Sequence, residues 1–393
     1  MQTVDPLPRP TTDALAHSRR LVAHIQRRIR DRGGWIEFQE FMDLALYAPG
    51  LGYYSAGTRK FGQAGDFTTA PEISPLFAGC IAHAAADVMS ACDGGVILEL
   101  GGGTGVLAAE LLRALARLDR LPEQYLILEI SADLRDRQRE LVTTRVPEYA
   151  RRVAWLDRLP DDRMNGLILA NEVMDALPVC RFRIGKGGPL SVGVVNHERS
   201  FDWAARSASP ALCEAVRGVE RDLGQPLPVG YESEICLAIA PWIAGLSACL
   251  ARGVMLLADY GLPRREYYHA ERRGGTLMCH YRHRAHQDPF FMPGLQDISA
   301  WVDFTRVAEA ADQTGLSVLG YTTQAHFLLA SGLAEEVQRV APADAPGQVE
   351  LAAAVRRLTM PGEMGEYFKL LALGRRRAKA PPGFAGRDLR HLL

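Results

Sequence analysis

The stretch VILELGGGTGVLAAELLRALAR, residues 96–117, decides the fold. Val96–Leu100 reads as a short buried strand, and residues 106–118 carry the apolar spacing of a helix. The turn between them spaces Gly101, Gly103 and Gly105 as G-x-G-x-G, which permits a tight reversal and lets a ligand come close to the main chain. Such turns serve NAD, FAD and S-adenosylmethionine alike. Two acids separate these ligands. Glu99 stands two residues before the first glycine, where a carboxylate opposes a pyrophosphate on the helix N-terminus but attracts the ammonium of a methionine moiety. Glu129 ends the next strand, YLILEI (125–130), and can accept both hydroxyls of a ribose; the plainer alternative is that it caps the following helix beside Ser131. Together the two acids favour S-adenosylmethionine over NAD.

Outward from the turn, the pattern continues as helix 132–144, strand 152–156 and strand 166–171. Strands alternating with helices imply a parallel sheet that binds ligands outside its carboxyl edge. After residue 178 the pattern changes to antiparallel hairpins around GKGG (residues 179–205), then to helices at 209–222 and 233–251. A buried strand at 253–261, a helix at 299–314 and strands at 316–323 and 366–374 complete a mixed sheet. Upstream, Pro6, Pro8 and Pro10 mark a loose arm, followed by helices at 16–32 and 36–47. The glycine- and aromatic-rich segment 48–75 reads as a long ordered loop or lid before helix 76–91. The domain reading is therefore 1–92 for N-terminal helices and covering loop, 93–178 for the cofactor core, 179–250 for an insertion, 251–374 for the rest of the core, and 375–393 for an exposed basic tail.

Composition agrees with a globular chain: 393 residues, 48% hydrophobic and 23% charged, long enough for two or three domains. The formal net charge of −1 gives no global attraction to nucleic acid, and no apolar run is long enough for a membrane span. Seven scattered cysteines without a C-x-x-C pair speak for a reducing compartment and against a disulfide framework or structural zinc. The seven arginines of residues 1–34 hint at a transit peptide, yet Asp5, Asp13 and Asp31 fit better with an amphipathic surface helix.

Longer motifs carry a resemblance. FMDLALYAPGLGYYS, GDFTTAPEISPLF, ELGGGTG, LEISADLRDRQ, ANEVMDALP, DYG, GGTLMCHYRHRAHQDPFFMPGLQDISAWVDF and MGEYFKLLALG occur in the order of the MidA-like family and cover most of residues 36–373. The chain resembles that family, which includes the mitochondrial complex I assembly factor that methylates an arginine. Where the family typically has ELGPGRG, this chain has Gly102 and Thr104, keeping the three glycines. The resemblance implies an α/β, class I methyltransferase with a seven-stranded, doubly wound, Rossmann-like sheet, an N-terminal helical and lid segment and an inserted substrate region. It implies S-adenosyl-L-methionine as cofactor and a protein arginine as substrate, with a respiratory NADH dehydrogenase subunit as client.

Methyl transfer to a guanidinium, whose pKa exceeds about 12, calls for positioning more than for a base. Paired carboxylates can grip its fork. Glu172 and Asp175 of ANEVMDALP follow the fourth strand and are the first candidates; the alternative is a helix-capping Glu172 and a solvated Asp175. By resemblance GDFTTAPEIS folds over cofactor and substrate, which brings in Asp66, Thr68, Thr69, Glu72 and Ser74, although Glu72 also reads as the start of helix 76–91. The catalytic set is thus Glu172, Asp175 and Glu72; the cofactor set is Glu99, Gly101, Gly103, Gly105, Glu129, Asp66, Thr68 and Asn171. Asp259 of DYG is expected to shape the substrate cleft. NEVM lacks the prolines of Asn-Pro-Pro-Tyr motifs, which counts against chemistry on nucleic-acid bases. Cys279, His280, His283 and His286 suggest a metal at first sight, but the interleaved Arg282 and Arg284 disfavour a second cation, so no metal is assigned. Two other functions compete: an assembly chaperone for a respiratory complex that needs no turnover, and an NAD-dependent oxidoreductase that Glu99 disfavours. The expected location is the cytoplasm of a bacterium, or the mitochondrial matrix of a eukaryote; a homodimer is compatible with the sequence.

Overall fold

Ile97, Leu98, Glu99 and Leu100 are all buried, although they point alternately to opposite faces of their strand. Only a sheet covered on both sides allows that. In the computed structural model, which describes residues 7–56, 69–198 and 200–393, this strand, β1 (Val96–Leu100), lies within a mixed sheet. It pairs in parallel with β2 (Gln124–Leu128), which pairs with β3 (Val153–Leu156); on the other side it pairs with β4 (Met164–Asn171), which pairs with β5 (Leu250–Leu262). Two later strands, β6 (Ser317–Thr323) and β7 (Phe368–Arg375), close the edge, β7 running antiparallel to both β5 and β6. The order is β6-β7-β5-β4-β1-β2-β3, with Val302–Asp303 pairing β5 outside this path. Strand order reverses between β1 and β4, so the sheet is doubly wound and its ligand crevice is expected at that switch point.

Three helices place the turn. α1 (Pro75–Ala91) starts with Pro75 in its first turn, and the Ser74 hydroxyl accepts the Leu76 N–H at 3.3 Å. It is buried nearly all round, including Phe77, Ile81 and Val88. α2 (Val106–Arg117) sinks Leu107, Leu111, Leu112 and Leu115 into the same core. α3 (Ala132–Arg145) is capped by Ser131, whose hydroxyl accepts the Leu134 N–H.

The chain forms two compact units, both discontinuous in sequence. The sheet above belongs to the unit made of Thr68–Met174, Ile239–Pro263 and Val302–Leu393. The other comprises Met1–Phe67, Asp175–Ala238 and Arg264–Trp301. Its first helix, Thr12–Asp31, buries Leu21, Ile25 and Ile29 at four-residue spacing, and a second, Phe38–Tyr47, buries Phe38, Phe41 and Met42. They pack with an antiparallel sheet in which Gly188–His197 pairs with Ser200–Ser207, Cys180–Gly185 and Ile36–Glu37, while Glu232–Ile235 pairs with Cys180–Gly185. A three-stranded sheet of Arg284–His286, Met278–Tyr281 and Asp297–Ser299 completes this unit.

Several expectations change. The helix read over 233–251 is instead strand Glu232–Ile235 followed by helix Ile239–Cys249, with Pro241 in the first turn, where its missing N–H costs nothing. Three helices, Gln324–Ala330, Leu333–Val340 and Ala345–Thr359, fill a region the sequence reading left undescribed. The tail, read as exposed, is packed in part: Phe384 stacks edge-on against Phe327 at 5.3 Å, and the Leu389 N–H donates to the Tyr321 carbonyl at 2.8 Å. Among the described residues, no helix is long and apolar enough to cross a membrane.

Candidate active site

The turn after β1 depends on backbone conformations that side chains resist. Gly101, Gly103 and Gly105 have φ of 61°, 52° and 86°. The Gly101 N–H donates to the Leu128 carbonyl at 3.0 Å, tying the turn to the end of β2, and the Gly105 N–H donates to Gly102 at 2.8 Å. A Cβ at Gly103 would meet nothing within 4 Å, so this glycine borders open space.

Glu129 follows β2 and is 5% exposed. Its Oε1 accepts the Ser131 N–H at 2.9 Å and its Oε2 accepts the Gln138 amide at 3.1 Å. Ser131 supplies the side-chain cap of α3, while Glu129 accepts the N–H of that cap residue. Glu99 is 3% exposed and accepts the Tyr125 hydroxyl at 2.8 Å across neighbouring strands. Burial pushes its carboxyl up to about 7, the Tyr125 bond opposes this, and the nearby charge of Glu129 adds to it.

Beyond β4, Glu172 sits in the left-handed region at φ 55°, its N–H donating to Ala258 at 2.9 Å. A non-glycine residue held there marks a position where the surroundings dictate the conformation. Its Oε1 accepts the Ala70 N–H at 3.2 Å and the Asn171 amide at 3.0 Å. The Asn171 Oδ1 is buried and accepts no hydrogen bond among the described residues. Glu72 lies in a separate turn, Ala70–Ile73, and Ser74 caps α1 in its place. Asp259, expected to shape the cleft, is fully buried: its Oδ2 accepts the Val173 and Met174 N–H groups at 3.2 and 2.8 Å and its Oδ1 that of Tyr260 at 2.9 Å. Its observed contacts anchor the loop that carries Glu172.

One unit therefore holds Glu99, the three glycines, Glu129, Asn171, Glu172 and Glu72. Asp175 belongs to the other unit, where its carbonyl accepts the Ala300 N–H at 3.0 Å. Within that unit Tyr54 donates to Asp297 at 2.8 Å and Tyr47 to the Ala176 carbonyl at 2.9 Å; burial first, then Asp297, with Asp175 contributing, pushes both phenols well up. Asp66 and Thr68 lie outside the described residues. Cys279 and His280 stand on one arm of a hairpin, His286 on the other and His283 in its turn, and among the described residues no group of His, Cys, Asp or Glu is arranged to hold a metal ion. Sequence reasoning missed Tyr125 and Gln138. A tyrosine in an apolar strand reads as core, and a glutamine in an arginine-rich helix reads as solvated.

A glycine-rich turn, a buried carboxylate just past the neighbouring strand and a buried amide oxygen at the end of β4 with no hydrogen-bond partner among the described residues fit a nucleoside joined to an amino acid better than a pyrophosphate. This sheet order with this turn fits the class of S-adenosylmethionine-dependent methyltransferases. The chain belongs to the family described as "Putative S-adenosyl-L-methionine-dependent methyltransferase", whose model matches residues 80–322. A crystal structure from Burkholderia thailandensis, bound to S-adenosyl-homocysteine, is 43% identical, covers 99% of this chain and 100% of its own, and superposes with a TM-score of 0.94. The mitochondrial protein arginine methyltransferase NDUFAF7 of Mus musculus is 28% identical over 90% of this chain and 84% of its own length. Its Drosophila melanogaster homolog is 29% identical over 86% and 82%.

Proposed function

We propose that this methyltransferase acts on an arginine side chain of a protein. The observation that carries the reading is Glu172, a carboxylate fixed beyond β4 by the Ala70 N–H and the Asn171 amide in a backbone conformation that glutamate adopts at a cost. A carboxylate so held can accept a guanidinium fork and turn one nitrogen toward the transferable methyl. Relatives named protein arginine methyltransferases, aligned over most of both chains, support the same substrate class. Glu72 and Asp175 are assigned as further carboxylates for the substrate.

S-adenosylmethionine, when bound, supplies a methyl group carried on a sulfonium. Gly101, Gly103 and Gly105 would pass the main chain beside it, Glu129 would accept its ribose hydroxyls, and Glu99 would face its ammonium group. Asn171 would add a hydrogen bond, and Asp66 and Thr68 are assigned to the covering segment. The guanidinium arrives protonated and must lose one N–H proton as its nitrogen takes the methyl, so the protein's task is to align that nitrogen and exclude competing water. The client we assign is a subunit of respiratory NADH dehydrogenase, following the family resemblance.

Mass spectrometry of methylarginine in NADH dehydrogenase from cells with and without the gene tests both parts. The mark should vanish on deletion and return with the wild type, but not with Gly101→Val, which places a branched side chain at φ 61° with its Cβ 3.3 Å from Val173. Methylarginine that persists without the gene would overturn the client. A Gly101→Val protein that restores the biological activity would instead show a chaperone independent of methyl transfer.

A further inference from the structure

Gln138, on α3, is fully buried, and all three of its described polar contacts go to different parts of the cofactor-binding half of the sheet. Its Nε2 donates one hydrogen to the Gly103 carbonyl at 2.9 Å and the other to Glu129 Oε2 at 3.1 Å. Its Oε1 accepts the indole N–H of Trp155, on β3, at 2.9 Å. The amide orientation follows from chemistry: an indole nitrogen only donates, whereas a carbonyl and a carboxylate only accept. The turn is shaped to let this side chain in. A Cβ at Gly102 would lie 3.2 Å from Gln138 Nε2, and one at Gly105 would lie 3.2 Å from Gln138 Cα. Both glycines thus permit α3 to close on the turn, a task separate from the ligand's approach.

We infer that Gln138 is a positioning residue that locks the glycine turn and the Glu129 carboxylate into one rigid frame, setting the distance between them to the reach of a ribose. A glutamine suits this task better than a lysine or arginine, because a neutral amide orients a carboxylate while leaving its charge in place. Glu129 then has one oxygen oriented by the Ser131 N–H and the other by Gln138, so the plane of the carboxylate is defined before any ligand binds. Trp155 extends the frame to β3: it orients Gln138, while its own ring lies 5.0 Å from the guanidinium of Arg139.

The inference rests on Glu129 as the ribose acceptor, and the test separates the two. Isothermal titration calorimetry of the full-length protein would compare S-adenosylhomocysteine with its 2′-deoxy and 3′-deoxy counterparts. In the wild type the intact diol should be preferred by about tenfold or more, the value of a hydrogen bond to a charged group. Gln138→Met should bring that preference below about threefold, while the deoxy analogues lose little. Trp155→Phe removes the indole donor together with part of the ring, leaves the Gln138 amide in place as the second variant should Gln138→Met fail to fold, and should give an intermediate preference. A wild type blind to the hydroxyls would overturn the role of Glu129 and this inference with it. Variants that weaken all ligands equally, with the diol preference intact, would overturn the role of Gln138 alone and leave Glu129 standing.

Discussion

Glu99 shows what a single buried charge does to this protein. Burial lifts its carboxyl to about 7, above the ordinary value of 4.5, so the folded state holds a proton that the unfolded chain has released. Folding stability therefore falls as pH rises from about 4.5 through 7 and levels off beyond it, by up to about 3 kcal/mol for a shift of this size. Glu99→Gln keeps the shape and removes the titration. Its stability relative to wild type should grow between pH 5 and pH 8 in paired denaturant melts of the ligand-free protein, and a constant difference would show that Glu99 is charged throughout. The position of this acid was legible before the fold, because strand and turn assign their residues by period. Its partner was not. Tyr125 sits diagonally across the sheet, on the strand that pairs Ile97 with Tyr125 and Glu99 with Ile127, and pairing register is invisible in one sequence. The same holds for Gln138, which lies nine residues beyond Glu129 and bonds it only because Ser131 starts a helix between them.

At the scale of elements, the loop after β4 is held from below rather than by its own turn chemistry. Asp259, on β5, accepts three main-chain N–H groups, from Val173, Met174 and Tyr260, and is fully buried. Removing it leaves buried donors unsatisfied, each worth about 1–3 kcal/mol. Asp259→Ala should cost about 3–5 kcal/mol of stability, read as a lower midpoint in urea. It should also lower kcat for methyl transfer through displacement of Glu172, whose N–H is bonded to Ala258 of the same strand. Wild-type turnover in a destabilised Asp259→Ala protein would show that the loop keeps its shape unaided. Here the sequence was read at the right place for a different reason. DYG at a strand end suggested a cleft residue, whereas burial makes it an anchor. The apolar strands β1 to β4 and the amphipathic helix α2 were legible because hydrophobic patterning places them, whereas α3 carries few apolar residues and was placed by the strand-helix alternation around it. The tail was misread because its arginines dominate the composition. What holds it is Phe384, which fits where Gly320 lacks a side chain, a Cβ there lying 2.5 Å from its ring, while the missing Cβ of Gly383 leaves room for Phe327.

For the whole molecule, order along the chain and order in space part company. The sheet unit is assembled from three stretches, and the chain passes between the two units five times. The passages from this unit into the other follow Met174 and Pro263, shortly after the carboxyl ends of β4 and β5, and loop closure makes such long excursions cheap because its cost grows only logarithmically with length. That explains why blocks read by position, such as 93–178, could not foresee the grouping. It also gives a prediction. The contiguous stretch 68–174 contains all three glycines of the turn, Glu99, Glu129, Gln138 and Glu172, everything proposed to hold the cofactor apart from the covering-segment residue Asp66. Yet it lacks β5, which pairs with β4 over Val254↔Leu167 and Leu256↔Leu169. Without β5, β4 becomes an edge strand apolar on both faces, the kind that aggregates, and Val173 and Met174 lose Asp259. Expressed alone, residues 68–174 should be insoluble or lack cooperative unfolding by circular dichroism, and should show no heat of binding with S-adenosylhomocysteine, whereas the full chain should show one. A soluble fragment binding within about tenfold of the full chain would mean that the sites on β1, β2 and α3 fold independently of the strand that closes the sheet beside them.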